Sequence, residues 1–330
     1  PMNWASHVDP DTGRPVEIQE TNHKSQPALT TPGPLGGHNW HPMSYSPKTG
    51  LVYIPAQETL FIYSTDEEFE YNPGTWNTAQ INEMTYLPKD PDELAMVDSA
   101  TLGYLLAWDP IAQREVWRAQ YKRPWSGGVL STDGNLVFQG TSDGRFVAYA
   151  ADSGDLLWSM DTGQGIVAPP ITYKIDNEQY VAVQVGYGGV YALMGGFEAA
   201  NENPERDGRM MVFKIGGEQL EKPIASIAQL NPTIVELNPD SLIIAQGEYE
   251  YYQHCGVCHG LDAIGGGVLP DLRMLDAQAN ASFVGSVLGG VHGSGMASFQ
   301  DVLTPDQAIQ IHEYIKSQAV LTGISEAADQ

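Results

Sequence analysis

Ala107-Trp108-Asp109-Pro110-Ile111-Ala112-Gln113-Arg114-Glu115-Val116-Trp117 is matched by Ala148-Tyr149-Ala150-Ala151-Asp152-Ser153-Gly154-Asp155-Leu156-Leu157-Trp158, and the closing tryptophans lie 41 residues apart. In both, a strand runs into a tight turn, and a second strand carries a tryptophan ten residues after the alanine. A third, weaker copy is Asp9-Pro10-Asp11-Thr12-Gly13-Arg14-Pro15-Val16. A period of about 40 residues is that of a four-stranded propeller blade. Each turn then belongs at the rim, and each tryptophan can slot between neighbouring sheets as a flat spacer. Unrelated hairpins sharing a turn are the alternative, but they are not expected to agree at the alanine, the turn and the tryptophan together. From Pro1 to about Ile215 the chain keeps to short apolar runs broken by Gly, Asp, Asn and Pro, with no long helical period.

Downstream the pattern changes. Residues 216–239 read as a linker punctuated by Gly216-Gly217, Pro223, Pro232 and Pro239, a tether that would lay the next domain over the propeller face. From Asp240 the apolar spacing is helical: Leu242, Ile243, Ala245, Tyr249 and Tyr252 form a stripe leading into Cys255-Gly256-Val257-Cys258-His259. In such a pentapeptide Cys255 and Cys258 can add across the vinyl groups of a haem while His259 ligates its iron. A C-x-x-C also occurs as half of a zinc site or as a redox pair. With 2 cysteines in the chain, a zinc site would have to be completed by histidines or carboxylates. A redox pair should open a helix after a strand, whereas this one follows a helical segment.

Met296, in the glycine-rich Gly293-Ser294-Gly295-Met296-Ala297-Ser298-Phe299, favours the haem, because a His/Met cytochrome needs a thioether on the far side of the iron. A methionine filling a core gap is the plainer alternative. His254, His292 and His312 are competing iron ligands, read as surface or supporting groups. Thr304 as N-cap, Pro305 at the first helical position and Gln307 completing a capping box predict a C-terminal helix. Its face of Ala308, Ile309, His312 and Ile315 is expected to pack on the first helix.

The 330 residues carry a formal charge of −25, which argues against nucleic acid and against an anionic membrane surface. Such a charge suits solubility and a basic or neutral redox partner. No run is long enough to span a membrane, and none reads as a signal peptide. The chain starts at Pro1 within a polar segment and is expected to be a fragment or a processed piece whose targeting signal lies upstream. With both cysteines given to haem, no pair is left for a disulfide in this chain, so cysteine usage leaves the compartment open. Haem attachment itself points to the periplasm of a bacterium.

Two further segments carry a family resemblance. Gly36-Gly37-His38-Asn39-Trp40-His41-Pro42-Met43-Ser44-Tyr45-Ser46-Pro47-Lys48-Thr49-Gly50-Leu51-Val52-Tyr53-Ile54-Pro55 resembles the G-G-x-N-W-x-P segment of the quinoprotein dehydrogenases, which use pyrroloquinoline quinone (PQQ). Ser126-Gly127-Gly128-Val129-Leu130-Ser131-Thr132-Asp133-Gly134-Asn135-Leu136-Val137-Phe138 is similar to the opening of one of their later blades. The tryptophan repeats resemble their docking motifs, and a C-terminal cytochrome narrows the resemblance to the type II-like quinohaemoprotein alcohol dehydrogenases. The resemblance implies part of an all-β, eight-bladed-type propeller over residues 1–215, about half the blades, and an all-α, class I-like cytochrome c domain over 240–330.

It also implies roles. Asn39 and Trp40 match positions whose side chains touch the PQQ edge; an amide can hydrogen-bond a quinone oxygen or carboxylate, and an indole N–H is a donor. Without the resemblance Asn39 reads as a turn residue and Trp40 as a core filler. In Gly186-Tyr187-Gly188-Gly189-Val190-Tyr191 the glycines would let the backbone approach a planar ligand, giving a contact near Val190, unless they simply form a bulge. Leu269-Pro270-Asp271-Leu272 resembles the cytochrome segment whose proline carbonyl orients the ligand histidine, here His259.

The implied activity is oxidation of alcohols to aldehydes at PQQ and Ca2+, with electrons passing singly to haem c. An external acceptor follows: a blue copper protein, a cytochrome or a quinone-linked subunit. In the family the catalytic aspartate, most calcium ligands and a vicinal disulfide come from earlier blades, so no catalytic residue is expected here and the chain alone is not expected to oxidise alcohols. Alternatives are an electron-transfer haem protein with a non-catalytic propeller, a propeller scaffold with a sensory haem, and another substrate class such as polyvinyl alcohol, cyclic ether alcohols or amines. Residues 59–101 depart from the blade rhythm. Phe69, Tyr71 and Trp76 there would line a substrate entrance or face the haem, or merely pack over the propeller, and the run 90–98 reads as a solvated face.

Overall fold

The computed structural model describes the chain except residues 1, 25, 72–76, 81–90, 192–207, 219–232, 234, 264, 266–268, 292, 322 and 324–330. Strands β1 (Ala5–Val8), β2 (Pro15–Glu17), β3 (Ala28–Thr30), β4 (Ser44–Ser46), β5 (Leu51–Glu58) and β6 (Phe61–Tyr63) come first. Helix α1 (Pro91–Ala100) then precedes β7 (Leu102–Asp109) and β8 (Arg114–Tyr121). Next are β9 (Val129–Ser131), β10 (Leu136–Gly140), β11 (Arg145–Ala150), β12 (Leu156–Asp161), β13 (Ile171–Ile175), β14 (Glu178–Val185) and β15 (Arg209–Lys214). Helices α2 (Ser241–His254), α3 (Gly256–His259), α4 (Ala277–Gly289) and α5 (Pro305–Leu321) complete the order.

The strands form antiparallel up-and-down sheets ordered β4-β5-β7-β8, β9-β10-β11-β12 and β13-β14-β15, flanked by the pairs β1-β2 and β3-β6. Strict alternation of buried and half-buried residues along β5 is what a strand facing a neighbouring sheet requires. These are propeller blades, and among the described residues they do not close into a ring. A mostly-β propeller-like part followed by a helical part is the architecture the sequence predicts.

The repeat is structural to the residue. Ala107 lies opposite Trp117 and Ala148 opposite Trp158, and in both hairpins the register shifts on the next step. A bulge at that step twists the strand and turns the tryptophan towards the next sheet. Trp117 is buried there, donating its indole N–H to Ala151 O at 3.0 Å. Gly154, at φ +77°, makes room: a Cβ on it would stand 2.6 Å from the Trp117 ring. Trp158 meets Phe213 of the following sheet at 5.4 Å but remains 39% exposed. The weakest copy is a real hairpin, β1-β2, in which Asp9 Oδ1 accepts from Asp11 N as Asp109 Oδ1 accepts from Ile111 N.

The described part of residues 59–101 is more regular than its sequence suggests, since β6 pairs with β3 and Pro91–Ala100 is helical.

In the helical part Asp240 caps α2 by accepting from Leu242 N, and the Thr304–Gln307 capping box closes at 2.9 and 3.2 Å. Two predicted faces need correction. Leu242 and Tyr249 are exposed, and the buried residues of α2 are Gly247 and Tyr251. On α5, Ile309 is exposed while Ala308, Ile311, Tyr314 and Ile315 are buried. The cause is Gly247, where a Cβ would fall 1.9 Å from Gln310 O. The two backbones touch there, and the contact is centred on a residue that hydrophobic spacing ignores.

Candidate cofactor sites

The C-x-x-C-H motif follows α2 directly. Cys255 N donates to Tyr251 O at 2.7 Å, Cys258 N to Cys255 O at 3.0 Å and His259 N to Cys255 O at 2.8 Å. This helical turn sets the two cysteines on one face. Both are free, with Cys255 buried and Cys258 exposed. Burial, then Cys258 and Glu250, pushes the Cys255 thiol up to about 12. Among the described residues no group of three or more His, Cys, Asp or Glu is placed to hold a metal ion.

His259 Nδ1 is 3.2 Å from Pro270 O, so it acts as the donor and leaves Nε2 its lone pair. Burial holds the imidazole below its usual range, only partly opposed by the Pro270 bond, and neutral imidazole is the form that ligates. Met296 is half-buried against the core that contains Cys255. Its loop is tied to the end of α4, with Val291 N donating to Met296 O at 3.1 Å and Phe299 N to Val287 O at 3.1 Å. Gly290, at φ +72°, allows this tight return, because a Cβ there would sit 2.9 Å from Met296 O. Of the competing histidines, His254 lies 3.4 Å from Glu250, and His312 bonds Asn280 Oδ1 at 2.8 Å while stacking on Phe283. His292 lies outside the described residues.

The second constellation sits where residues 35–42 cross the end of β5. Gln57 Nε2 donates to Leu35 O and Gly36 O, His38 Nδ1 pairs with Pro55 O at 2.7 Å, and Pro42 O accepts from Val129 N of the next blade at 2.9 Å. Asn39 is engaged at both ends: Nδ2 donates to Leu35 O at 2.9 Å and Oδ1 accepts from Trp40 N at 2.9 Å. One amide hydrogen remains for another group. Trp40 is 58% exposed and stacked on His41, so it is not a core filler.

Asn39-Trp40-His41 and Gly189-Val190-Tyr191 are brought together by a residue the sequence reading missed. Trp125, at φ +64° and 2% exposed, meets His41 at 4.8 Å, Trp40 at 6.5 Å and Tyr191 at 6.1 Å. A Cβ on Gly189 would stand 3.4 Å from Trp125 Nε1. Trp125 Nε1 and His41 Nε2 are buried with no hydrogen-bond partner among the described residues. Burial, then His38, pushes His41 down to about 4, leaving its ring neutral. Two orphaned ring nitrogens in one cradle call for a polar-edged ligand. The sequence did carry a signal, an aromatic directly ahead of Ser126-Gly127-Gly128. Of the loop residues, Phe69 and Tyr71 are exposed and Trp76 lies outside the described residues.

Residues 99–181 match the family model "Glucose/ethanol/alcohol dehydrogenase, beta-propeller domain", and residues 243–315 match "Cytochrome C oxidase, cbb3-type, subunit III". Quinohemoprotein alcohol dehydrogenase ADH IIB of Pseudomonas putida is 39% identical over 96% of this chain and 45% of its own length. The 1-butanol dehydrogenase (cytochrome c) of Thauera butanivorans is 39% identical over 97% of this chain and 45% of its own. The crystal structure of quinohemoprotein alcohol dehydrogenase from Comamonas testosteroni superposes with a TM-score of 0.75 at 36% identity, over 97% of this chain and 46% of that one. For ADHIIG of Pseudomonas putida HK5 the TM-score is 0.86 at 36% identity, over 97% and 47%. The chain thus spans a little under half the length of these relatives. In sequence and in fold it matches the part of the quinohaemoprotein alcohol dehydrogenases that joins propeller to cytochrome c domain.

Proposed function

We propose that this chain carries the quinone-to-haem relay of a PQQ-dependent alcohol dehydrogenase. Residues 1–215 would contribute one side of the quinone site, 216–239 the tether and 240–330 the cytochrome. When bound, PQQ with Ca2+ supplies hydride acceptance from an alcohol carbon, and haem c supplies one-electron acceptance. The chain's own residues bind and orient these groups. Asn39 offers its remaining amide hydrogen, and Trp125 Nε1 and His41 Nε2 offer a donor and a neutral ring nitrogen. Trp40 and Tyr191 flank the Trp125 ring and exclude water from it, while Gly189 keeps the backbone beside Val190 clear. Cys255 and Cys258 would hold the porphyrin covalently, and His259 through Nε2 and Met296 through its thioether would ligate the iron.

The observation that carries this reading is that one chain joins the orphaned nitrogens around Trp125 to a C-x-x-C-H whose histidine Pro270 already orients. Primary alcohols are the substrates favoured, and a blue copper protein, a cytochrome or a quinone-linked subunit the acceptor. Covalent haem attachment supports a periplasmic location. Among the described residues no helix is long and apolar enough to cross a membrane.

The test is reconstitution. The chain, expressed with haem maturation, is combined with the further propeller portion its relatives carry, PQQ and Ca2+, and haem absorbance is followed after adding ethanol or butanol. PQQ-dependent haem reduction is the expected result. Bound PQQ without reduction by any alcohol would move the substrate to another class. Failure of PQQ to bind would leave an electron-transfer haem protein with a non-catalytic propeller.

A further inference from the structure

Three residues beyond His259 the backbone does something costly. Asp262 and Ala263, neither a glycine, both lie in the left-handed region, at φ +48° and +67°. An L side chain there is crowded against its own backbone, and such a pair persists only where the surroundings over-determine it. Here the surroundings are three tyrosines from two helices. Tyr252 of α2 donates to Asp262 Oδ1 at 3.0 Å, Tyr314 of α5 reaches the same oxygen at 3.2 Å, and the two hydroxyls are 3.1 Å apart. Tyr251 OH donates to Gly260 O at 2.8 Å. Ala263 is fully buried beneath them.

The strained turn leads back to the histidine. Gly265 N donates to His259 O at 2.7 Å, and Gly265 lies so close to the next segment that a Cβ on it would stand 2.6 Å from Pro270 O. Pro270 O is the acceptor for His259 Nδ1. A mechanical path therefore runs from the tyrosine hydroxyls through Asp262 and Ala263, and by way of Gly265, to the carbonyl that orients the imidazole.

We propose that Asp262, held between the hydroxyls of Tyr252 and Tyr314, is a positioning residue for the iron ligand His259. The proposal rests on the haem reading above. Releasing Asp262 lets the turn relax and Pro270 O draw away from Nδ1. A weaker hydrogen bond makes the imidazole a poorer donor to iron, which favours the ferrous state and raises the midpoint potential.

The experiment uses the full chain with haem matured in place, and compares parent, D262A, D262N and the double variant Y252F/Y314F by spectroelectrochemical titration. D262A is expected to shift the oxidised-to-reduced ratio at fixed poise tenfold or more towards reduced, ~59 mV for one electron. D262N keeps an acceptor oxygen and tolerates the left-handed region, so it should stay within about threefold of the parent. Y252F/Y314F removes both hydroxyls at nearly constant volume and should move as D262A does, deciding the matter if D262A fails to fold. A purely structural role would lower the unfolding midpoint and leave the potential of the folded protein where it was; covalent haem with unmoved potentials overturns the proposal alone. A parent chain that attaches no haem overturns the cytochrome reading, and this proposal with it.

Discussion

Met296 is the simplest residue on which to test the haem reading, because a thioether ligand raises the potential of a His-ligated iron. Met296→Ala should leave the haem covalently attached, abolish the iron–sulfur charge-transfer absorption and lower the midpoint. An unchanged midpoint would show that sulfur never reaches the iron. His41 and His312 give a second residue-scale prediction. Both are pushed down to about 4, chiefly by burial, against an ordinary value of 6.5. The unfolded chain therefore binds more protons between those values, so stability from these groups is full above pH 6.5 and drains away as the pH falls towards 4. Urea unfolding at pH 7.5 and pH 5 should show the loss, and H41Q should flatten it for the propeller part. The proposed haem ligands can be named from sequence because they lie in one short motif with a loop methionine. Trp125 and His41 cannot, since their meeting is made by segments far apart in sequence and a left-handed backbone at Trp125.

Elements carry their own tests. Gly247 is the point where α2 and α5 touch backbone to backbone, so Gly247→Ala must push the helices apart. Overpacking of this kind costs about 1–3 kcal/mol, and the cytochrome's guanidinium midpoint should fall accordingly. On the propeller side, Trp117→Ala removes an indole packed on Gly154 and its bond to Ala151 O, at a cost of about 3–5 kcal/mol. Trp117→Phe should lose less, because it keeps much of the ring contact. Should Trp117→Ala unfold no earlier than the parent, the docking contact is not what holds the blades. The capping box at Thr304 and the repeated hairpins were readable in the sequence, since capping and turn chemistry are local. The faces of α2 and α5 were misjudged because a glycine contact carries no hydrophobic signal, and α1 was overlooked for its acidic composition.

For the whole molecule the governing quantity is charge. The formal charge is −25, and on the described cytochrome part Arg273 is paired with Asp271 at 2.8 Å and Lys316 with Glu313 at 2.5 Å. Its few cations are thus already neutralised, and the field it presents to an oxidant is negative. Oxidation of the reduced haem by a cationic complex should slow as salt rises, whereas oxidation by ferricyanide should quicken. Stopped-flow rates from low to high ionic strength check both signs, and salt-independent rates would mean that the haem edge feels little of the net charge. This property is read directly from composition; the position of the charges around the haem needs the fold.

The tryptophan docking has a consequence for symmetry. Trp117 projects from the trailing face of one sheet and is received by the glycine turn on the leading face of the next, and Trp158 meets Phe213 with the same polarity. A contact between two unlike faces is heterologous and has a direction. Repeated, it closes into a ring or runs on as a fibre, according to the rotation at each step, and it cannot generate a two-fold dimer. Any self-association through this contact is therefore head to tail, and it leaves a growing end wherever the rotation does not close.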